Sequence, residues 1–402
     1  GLGRHAAQHG FAVERDAARR RIGLEPRLRG HACGARLRVG RVVAGEGKGL
    51  NSLVADVQTP PNVHKVLAAY QGQTGKGTAI RSILEAAAKL NVKACAVFEA
   101  QVPGIAPEWL PSVVGPVLHG DDATFAYYHR SAYAASLTDN LAYPFVRTFL
   151  NTDLRDPLAS EFAVSGALAA ELAACDVWET NIARYGVNAW LSTYTITRRL
   201  HVSQVDLGSR GEVSGDPGTL LDPRIVHTGM ALFRLLSAER RVWEPGAPPA
   251  HVPLKGGHCE DRPAECPDHT PLLLAGMREG VERYADQIAE VLPQDTLQAL
   301  QKLLEQPEET FAFPARLWAD IVLDFALSYN RGEGDPDRVV EALLPLFFAR
   351  TVGYMHESAG LTPVRRERLV RGIVAAFQRA RVRFDASWRK VAHWDDVDDR
   401  FW

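Results

Sequence analysis

The sequence has few cysteines, no long apolar run and almost no net charge. Its five cysteines are scattered and odd in number, so they do not make a disulfide framework, and a reducing compartment is expected. No run of about eighteen apolar residues occurs, and the first residues lack the apolar stretch of a signal peptide. We therefore expect a cytoplasmic protein without a membrane span. The formal net charge of −2 gives no reason to expect nucleic acid as a partner.

Residues 1–41 differ from the rest of the chain. They hold ten arginines and no lysine, and no helical or strand period persists among them. A flexible basic arm and a start that is not native sequence are both open interpretations. Residues 1–38 are therefore set apart as an irregular Arg-rich segment.

From about Val39 onward, the apolar pattern becomes regular. Thr78 is expected to cap a helix that runs to about Leu90, and 93–98 reads as a parallel strand buried on both faces. With a strand expected at 63–69 and a glycine-rich loop at 71–77, this strand–helix–strand unit predicts an α/β fold for residues 39–243. Further strands are predicted at 123–128 and 201–207, and helices at 138–150 and 187–199.

A Pro- and Gly-rich linker is predicted at 244–271, and residues 272–402 are predicted to be helical. The periods predict helices at 272–291, 297–305, 314–330, 338–357 and 363–390. The helix at 314–330 has an apolar face with Trp318, Ile321 and Phe325, which indicates a core or a subunit interface.

The loop Gly75-Lys76-Gly77 precedes the first of these helices. Glycines let backbone N–H groups approach an anion, a helix N-terminus favours negative charge, and the Lys76 ammonium can neutralise a phosphate. The loop is not a Walker A motif, because Gly77 stands where Ser or Thr is required. Glycines needed only for loop geometry are the alternative.

Two acidic positions offer further chemistry. Glu99-Ala100-Gln101 follows a predicted strand, at the end where open α/β sheets bind ligands, and its oxygens suit Mg²⁺ or Mn²⁺. Glu161 is flanked by small residues and suits hydrogen bonds from sugar hydroxyls, or alternatively the N-terminus of the next helix. One group of zinc-ligand types has a spacing that matches no zinc module and is interpreted as loop: His258, Cys259, Cys266 and His269.

In order and spacing, several stretches resemble bacterial family 2-type glycosyltransferases. The branch is that of glucosylglycerate, mannosylglycerate and glucosyl-3-phosphoglycerate synthases, and the resemblance covers about residues 39–388. The stretches are TGKGTAIRSILEAAAKLNVKACAV, YYHRSAYAASLTDNLAYPFVRTFL, RDPLASEFAVSGALA and DVWETNIARYGVNAWLSTYTI.

This resemblance implies a GT-A fold, a Rossmann-like nucleotide-binding sheet with a C-terminal helical extension. The first strand of that fold has no recognisable match in residues 1–38. The resemblance implies retaining transfer of glucose or mannose from a UDP- or GDP-hexose to a small anionic acceptor such as glycerate. A Mg²⁺ or Mn²⁺ ion would bridge the donor diphosphate. Homo-oligomerisation through the C-terminal helices is left open.

The resemblance also assigns residues to roles: donor binding to Gly75, Lys76, Gly77 and Glu99; acceptor binding to His129 and Arg130; catalysis to Glu161 and Asn188; metal binding to Gln101 and Glu212. Three of these positions depart from the family. Gln101 replaces the second Asp of Asp-x-Asp, Asn188 the Asp of Gly-Ile-Asp, and Glu212 the His of Lys-x-His. Two interpretations stay open: a glycosyltransferase of reduced activity, and an inactive pseudo-glycosyltransferase that binds nucleotide or protein. A purely structural helical protein is a third class.

Overall fold

The computed structural model describes residues 73–99, 102, 105–209, 217–255, 269–332 and 335–391. Several predictions therefore lie outside the described residues. These are the segment 1–38, the elements expected before residue 73, the metal candidates Gln101 and Glu212, and three members of the zinc-type group, His258, Cys259 and Cys266.

A five-stranded mixed sheet organises the described part of the chain. Its strands are β1 (Ala94–Val97), β2 (Ala123–His129), β3 (Phe162–Ser165), β4 (Val202–Ser209) and β5 (Leu254–Lys255), in the order β1-β3-β2-β4-β5. Strand β3 runs antiparallel to both of its neighbours, whereas β2, β4 and β5 are parallel to one another. The predicted α/β class is confirmed.

Strand β1 corrects one expectation. It pairs antiparallel with β3, with Cys95 opposite Val164, and its residues alternate between half-buried and buried. The predicted parallel direction is therefore wrong for this pairing, because an apolar run reports burial but not strand direction. The predicted cover on both faces is confirmed, because alternate residues of β1 pack into different apolar clusters. Strand β3 itself begins directly after Glu161, so Glu161 does not lie at a helix N-terminus.

The helices of the first half surround this sheet. They are α1 (Lys76–Lys89), α2 (Trp109–Leu118), α3 (Ala132–Leu137), α4 (Tyr143–Leu150), α5 (Gly166–Ala174), α6 (Val187–Thr197), α7 (Pro217–Ala238) and α8 (Arg240–Trp243). Thr78 does not cap α1, because the helix begins two residues earlier and the Thr78 hydroxyl donates to the Ala183 carbonyl at 3.4 Å. Helix α7 was not predicted, since its proline and glycine residues resemble a loop.

The second half is helical, as predicted. Its helices are α9 (Thr270–Arg283), α10 (Ala285–Val291), α11 (Gln294–Leu304), α12 (Ala315–Asn330), α13 (Pro336–Ser358) and α14 (Pro363–Val391). The single helix expected at 272–291 divides into α9 and α10 at Tyr284. No helix among the described residues is both long and apolar enough to cross a membrane.

Two apolar clusters cover the two faces of the sheet. The smaller cluster packs α2 through Trp109 and Val113 against Tyr128 of β2 and Leu207 of β4. The larger cluster joins the other face to the C-terminal helices, and it includes Trp318 of α12. The apolar face predicted for the helix at 314–330 therefore forms core. Because β5 pairs with β4 at residues 254–255, part of the predicted linker belongs to the sheet, and the domain limits remain predictions.

A π-helix at Thr138–Ala142 lies between α3 and α4, within the segment 138–150 that was predicted as one helix. Its Asn140 accepts hydrogen bonds from two C-terminal helices, through its carbonyl from Trp318 Nε1 at 2.7 Å and through Oδ1 from Arg350 Nε at 2.8 Å. Tyr354 donates to the neighbouring Asp139 at 2.5 Å. These buried bonds fix α12 and α13 to the sheet half.

Candidate functional site

Four motifs that are far apart in the sequence meet in one place. They are the loop Gly75-Lys76-Gly77, Glu99 after β1, the segment 158–161 before β3, and Asn188 in the first turn of α6. Each contacts at least one of the others through a polar side chain or a backbone hydrogen bond. Sequence analysis assigned these positions to donor binding and catalysis, and their convergence makes this the candidate site.

The glycines of the first loop allow close packing of two backbones. A Cβ atom at Gly77 would lie 1.8 Å from the Ile182 carbonyl oxygen, and one at Gly75 would lie 2.3 Å from the Ala183 carbonyl oxygen. The Gly77 N–H donates to the Arg184 carbonyl at 3.1 Å. That N–H is therefore engaged by protein, and the glycines serve the contact between this loop and residues 182–184.

Lys76 reaches across the site. Its ammonium nitrogen Nζ donates to the Ser160 hydroxyl at 3.0 Å and lies 3.8 Å from Glu99 Oε1. Both charged side chains are about four-fifths buried, with exposed fractions of 18% and 20%. A positive charge thus stands where the resemblance places the donor diphosphate, held by a hydroxyl and a carboxylate.

Glu161 is fully buried at the start of β3. Its Oε1 accepts a hydrogen bond from the Glu99 backbone N–H at 3.3 Å. This bond fixes the chain at the end of β1, from which the Glu99 carboxylate projects toward Lys76. Glu161 therefore connects the ends of β1 and β3 at the candidate site.

Asn188 supports the segment before β3. Its side-chain nitrogen Nδ2 donates to the carbonyl of Leu158 at 2.9 Å and to that of Ala159 at 3.0 Å. Its oxygen Oδ1 is buried and has no hydrogen-bond partner among the described residues. An amide cannot act as a general base or carry negative charge, so this side chain orients the backbone and offers one acceptor.

The two acceptor candidates lie at the carboxyl end of β2, where His129 is the last residue of the strand and Arg130 comes directly after it. His129 Nε2 lies 3.2 Å from Asp206 Oδ2 of the adjacent parallel strand β4. Arg130 is mostly buried and forms an ion pair with the buried Asp156, at 2.7 Å between NH2 and Oδ2. Asp156 belongs to the same loop as Glu161, so this loop joins the acceptor candidates to the rest of the site.

A second arginine lies next to this pair. Arg155 NH1 is 2.7 Å from Asp139 Oδ1 in the π-helix, and its Nε is 3.0 Å from Glu367 Oε2 in α14. Burial alone would lower the pKa of Arg155, but Asp139 and Glu367 raise it, and the net pKa is well above the ordinary value. Burial is also the main cause that raises the pKa of Tyr127, whose nearest charges include Arg155.

His227 of α7 lies beside the loop that contacts the glycines. Its ring stacks on Tyr185 with centroids 6.0 Å apart, and its Nδ1 has no partner among the described residues. Burial and the nearby Arg184 lower the pKa of His227 to about 4. The ring is thus neutral near pH 7.

The described residues do not form a metal centre. Among them, no group of three or more His, Cys, Asp or Glu side chains is placed to hold an ion. Glu99 is the one described candidate from the Glu99-Ala100-Gln101 triplet, and its carboxylate already faces the Lys76 ammonium. The two metal candidates from the sequence, Gln101 and Glu212, lie outside the described residues.

Sequence analysis missed three polar partners in this site: Ser160, Asp156 and Asp206. Ser160 and Asp156 lie within the stretch RDPLASE, where only Glu161 was given a role. Asp206 is a charged residue within the strand predicted at 201–207, and a buried carboxylate is seldom without a partner. That signal marked Asp206 but could not name its partner.

No family model matches this chain, and no curated protein matches it. Solved structures with partial similarity include glucosyl-3-phosphoglycerate synthase from Mycobacterium tuberculosis. Its complex with phosphoglyceric acid has 21% identity, a TM-score of 0.33, and coverage of 43% of this chain and 60% of that one. Its complex with Mn²⁺, uridine-diphosphate-glucose and phosphoglyceric acid has 18% identity, a TM-score of 0.37, and coverage of 50% and 68%.

A structure described as a mycobacterial protein is similar to the same extent. It has 20% identity and a TM-score of 0.37, with coverage of 49% of this chain and 63% of that one. The chain thus spans about 60% of the length of the first of these structures.

Proposed function

We propose that this chain is a glycosyltransferase-like protein with a GT-A fold that binds a nucleotide-sugar donor. Its proposed reaction is retaining transfer of glucose or mannose from a UDP- or GDP-hexose to a small anionic acceptor such as glycerate. Mg²⁺ or Mn²⁺ is the proposed cofactor. Because residues at catalytic and metal positions are substituted, we expect low activity.

One observation supports this proposal above the others. The motifs that resemble the family are separated by up to about a hundred residues, yet Lys76, Glu99, Ser160 and Asn188 belong to one connected group. Glu99 also lies just after the carboxyl end of β1, and carboxyl ends of strands are where open α/β sheets bind ligands.

Each described residue has a task that its chemistry permits. Lys76 would bind a donor phosphate, exchanging its contact with Ser160 or Glu99 for a charged oxygen. Asn188 Oδ1 would accept a hydrogen bond from a sugar hydroxyl, because its Nδ2 hydrogens already bind backbone carbonyls. Arg130 would orient the acceptor anion with the part of its guanidinium that does not pair with Asp156.

A catalytically inactive scaffold is the second candidate, and one observation favours it. Lys76 and Glu99 balance each other's charge, and Asn188 is neutral and serves the backbone. Loss of one well-placed electrostatic group typically costs about 10²–10³ in rate. The separate losses do not simply multiply, because groups that act as a unit are not additive. With several such positions changed, we expect a total loss of about four orders of magnitude in rate.

Titration calorimetry with UDP and with GDP, each with and without Mn²⁺, tests the proposal. Metal-dependent nucleotide binding that is lost in Lys76→Met would support a glycosyltransferase. Lys89→Met is the matched control, because Lys89 is exposed at the opposite end of the same helix. Nucleotide affinity should be unchanged in that control.

The other outcomes separate the candidates. Binding that needs no metal and gives no hexose transfer would favour the scaffold. If neither UDP nor GDP binds the folded protein, with or without metal, the result would contradict both the donor site and the proposed function.

A further inference from the structure

Four side chains form a basic cluster beside residues 182–184, the segment that packs against the glycine loop. Arg184 and Tyr185 belong to this segment or follow it directly, and Arg224 and His227 lie three residues apart on one face of α7. The Arg224 guanidinium carbon lies 5.6 Å from the centroid of the Tyr185 ring. The His227 ring stacks on the same ring, with centroids 6.0 Å apart. Tyr185 thus holds two basic side chains of α7 together.

Close backbone packing fixes this cluster in place. A Cβ atom at Gly186 would lie 3.0 Å from the His227 carbonyl oxygen and 3.3 Å from the Ala231 Cβ atom, so the loop and α7 approach each other closely. Of the four side chains in the cluster, Arg184 is exposed and the other three are half-buried. Most of the cluster is therefore positioned by packing, unlike freely solvated surface cations.

The positive charges of the cluster are not balanced by acids within the described residues. Neither Arg184 nor Arg224 forms an ion pair there. Burial and Asp335 raise the pKa of Asp337 in α13, and Arg184 works against both, but Arg184 and Asp337 form no ion pair. The Nδ1 atom of His227 is buried without a partner among the same residues. Like charges that lie together in this way favour the binding of an anion.

We infer that Arg184, Tyr185, Arg224 and His227 bind the phosphate group of a small molecule, at a site beside the candidate donor site. Two guanidinium groups match the charge of a phosphate monoester, about −1.5 to −2 at pH 7, whereas a carboxylate would leave one positive charge in excess. The neutral His227 ring and the Tyr185 hydroxyl each have one hydrogen to donate to a phosphate oxygen. The cluster spans one turn of α7 and two loop residues, which suits a single phosphate better than an extended polyanion.

This site adjoins the candidate donor site but uses other side chains. The backbone of Arg184 contacts the glycine loop, since a Cβ atom at Gly75 would lie 3.1 Å from the Arg184 Cα atom. Lys76 instead directs its ammonium group to Ser160 and Glu99. In the described part of the chain, no side chain of the cluster bonds to any of these three residues. A phosphate in the cluster could therefore be bound together with a nucleotide at Lys76.

Titration calorimetry with inorganic phosphate, at pH 7 and without nucleotide or metal, tests the inference. Phosphate should bind, and its affinity should fall about tenfold in Arg224→Gln, because one of two charged contacts is lost. The variant Arg184→Gln should show the same loss and changes only an exposed side chain, so it keeps the test valid if Arg224→Gln is destabilised. Arg278→Gln is the matched control, because it removes an exposed arginine of α9 and should leave the phosphate affinity unchanged.

The His227 ring reports where the phosphate binds. Its ring-proton resonance in NMR spectra, identified by its absence in His227→Gln, should shift when phosphate is added. The pKa of His227, about 4 without ligand, should rise, because a nearby anion stabilises the charged ring. Lys76→Met should leave this shift unchanged, and UDP should not displace the phosphate.

Three results would overturn the inference. The folded native protein could fail to bind phosphate, or the affinity could be equal in the native protein, Arg224→Gln and Arg184→Gln. Loss of phosphate binding in Lys76→Met, or its displacement by UDP, would mean that phosphate binds at the donor loop. Because phosphate is titrated without nucleotide or metal, these outcomes do not depend on the proposed function, which the titrations with UDP and GDP test separately.

Discussion

Replacing Asn188 by Asp restores the acid that the family resemblance expects, and the structure predicts that this change destabilises the protein. Asn188 Nδ2 donates to two carbonyl oxygens, those of Leu158 and Ala159, at 2.9 and 3.0 Å. An aspartate would place an oxygen at that position, facing two other oxygens. The side chain is buried, so water cannot relieve the repulsion.

The size of the effect depends on pH. When protonated, the introduced carboxyl group can donate to one carbonyl and loses one hydrogen bond, which costs about 1 kcal/mol. Above pH 7 the carboxylate would be charged, and a pKa raised by about two units adds about 2.7 kcal/mol. Because the folded pKa is raised, the variant binds more protons when folded, and its stability falls as pH rises from about 4 to 6. The total loss at pH 7 is about 4 kcal/mol, the sum of these two contributions.

Urea unfolding at pH 4.5, 5.5 and 7, followed by circular dichroism, measures the free energy of unfolding. Asn188→Ala is the control, because it removes the same hydrogen bonds without adding charge. Its loss of about 2 kcal/mol should not change with pH relative to the native protein.

A pH-independent Asn188→Asp variant, or one as stable as the native protein at pH 7, would refute this reasoning. The result also bears on function. Activity that appears only when Gln101→Asp, Asn188→Asp and Glu212→His are combined would identify a decayed enzyme, but an inactive triple variant is informative only if it is folded.

The remaining predictions concern packing, an ion pair and acid stability. Gly77→Ala should lose about 2–4 kcal/mol of unfolding free energy, because the new Cβ clashes with the backbone. The control Gly372→Ala has no atom within 4 Å of the new Cβ and should gain about 0.5–1 kcal/mol. Equal effects of the two variants in urea unfolding would contradict the loop packing. Arg130→Ala should lower the free energy of unfolding by about 3–5 kcal/mol, because it removes the cation that pairs with the buried Asp156. The double variant Arg130→Ala with Asp156→Ala should lower it less in urea unfolding. Because Arg130→Ala disturbs the fold, the acceptor KM is better measured with Arg130→Lys. His227 stays neutral in the folded protein down to about pH 4, whereas it binds a proton near pH 6.5 when unfolded. The free energy of unfolding of the native protein should therefore fall by about 1–2 kcal/mol between pH 6.5 and pH 4, after allowance for solvent screening. The variant His227→Gln should lose less over the same range in urea unfolding.

Local patterns were sufficient to predict many elements. The strands at 123–128 and 201–207 and the helices at 187–199 and 314–330 begin and end within a few residues of their predicted limits. These segments have a strong apolar period and clear breaks on both sides. By contrast, β3 is four residues long and α7 contains two prolines and a glycine near its start, so neither has a decisive local signal.

The candidate site was predictable in its members but not in its contacts. The motif order identified Lys76, Glu99, Glu161 and Asn188 as positions of interest, and they do lie together. The need for Gly77 could not be derived locally, because the atom that excludes a side chain belongs to Ile182. Likewise, the sequence could not show that an asparagine at position 188 faces two backbone carbonyls, to which an aspartate could not donate in the same way.

The π-helix at Thr138–Ala142 has a consequence for how this chain tolerates changes in length. A π turn contains one residue more than an α turn, so deleting one residue here would leave a regular helix. Because the wider turn absorbs the extra residue, that deletion would leave the buried face of Tyr143–Leu150 nearly unrotated relative to Ala132–Leu137. It would instead remove or displace the contact of this turn with α13, where Asn140 bonds to Arg350, 210 residues later in the sequence. The extra residue of an early helix thus serves a contact with a late one, and its loss should be felt in α13 rather than in the direction of α4.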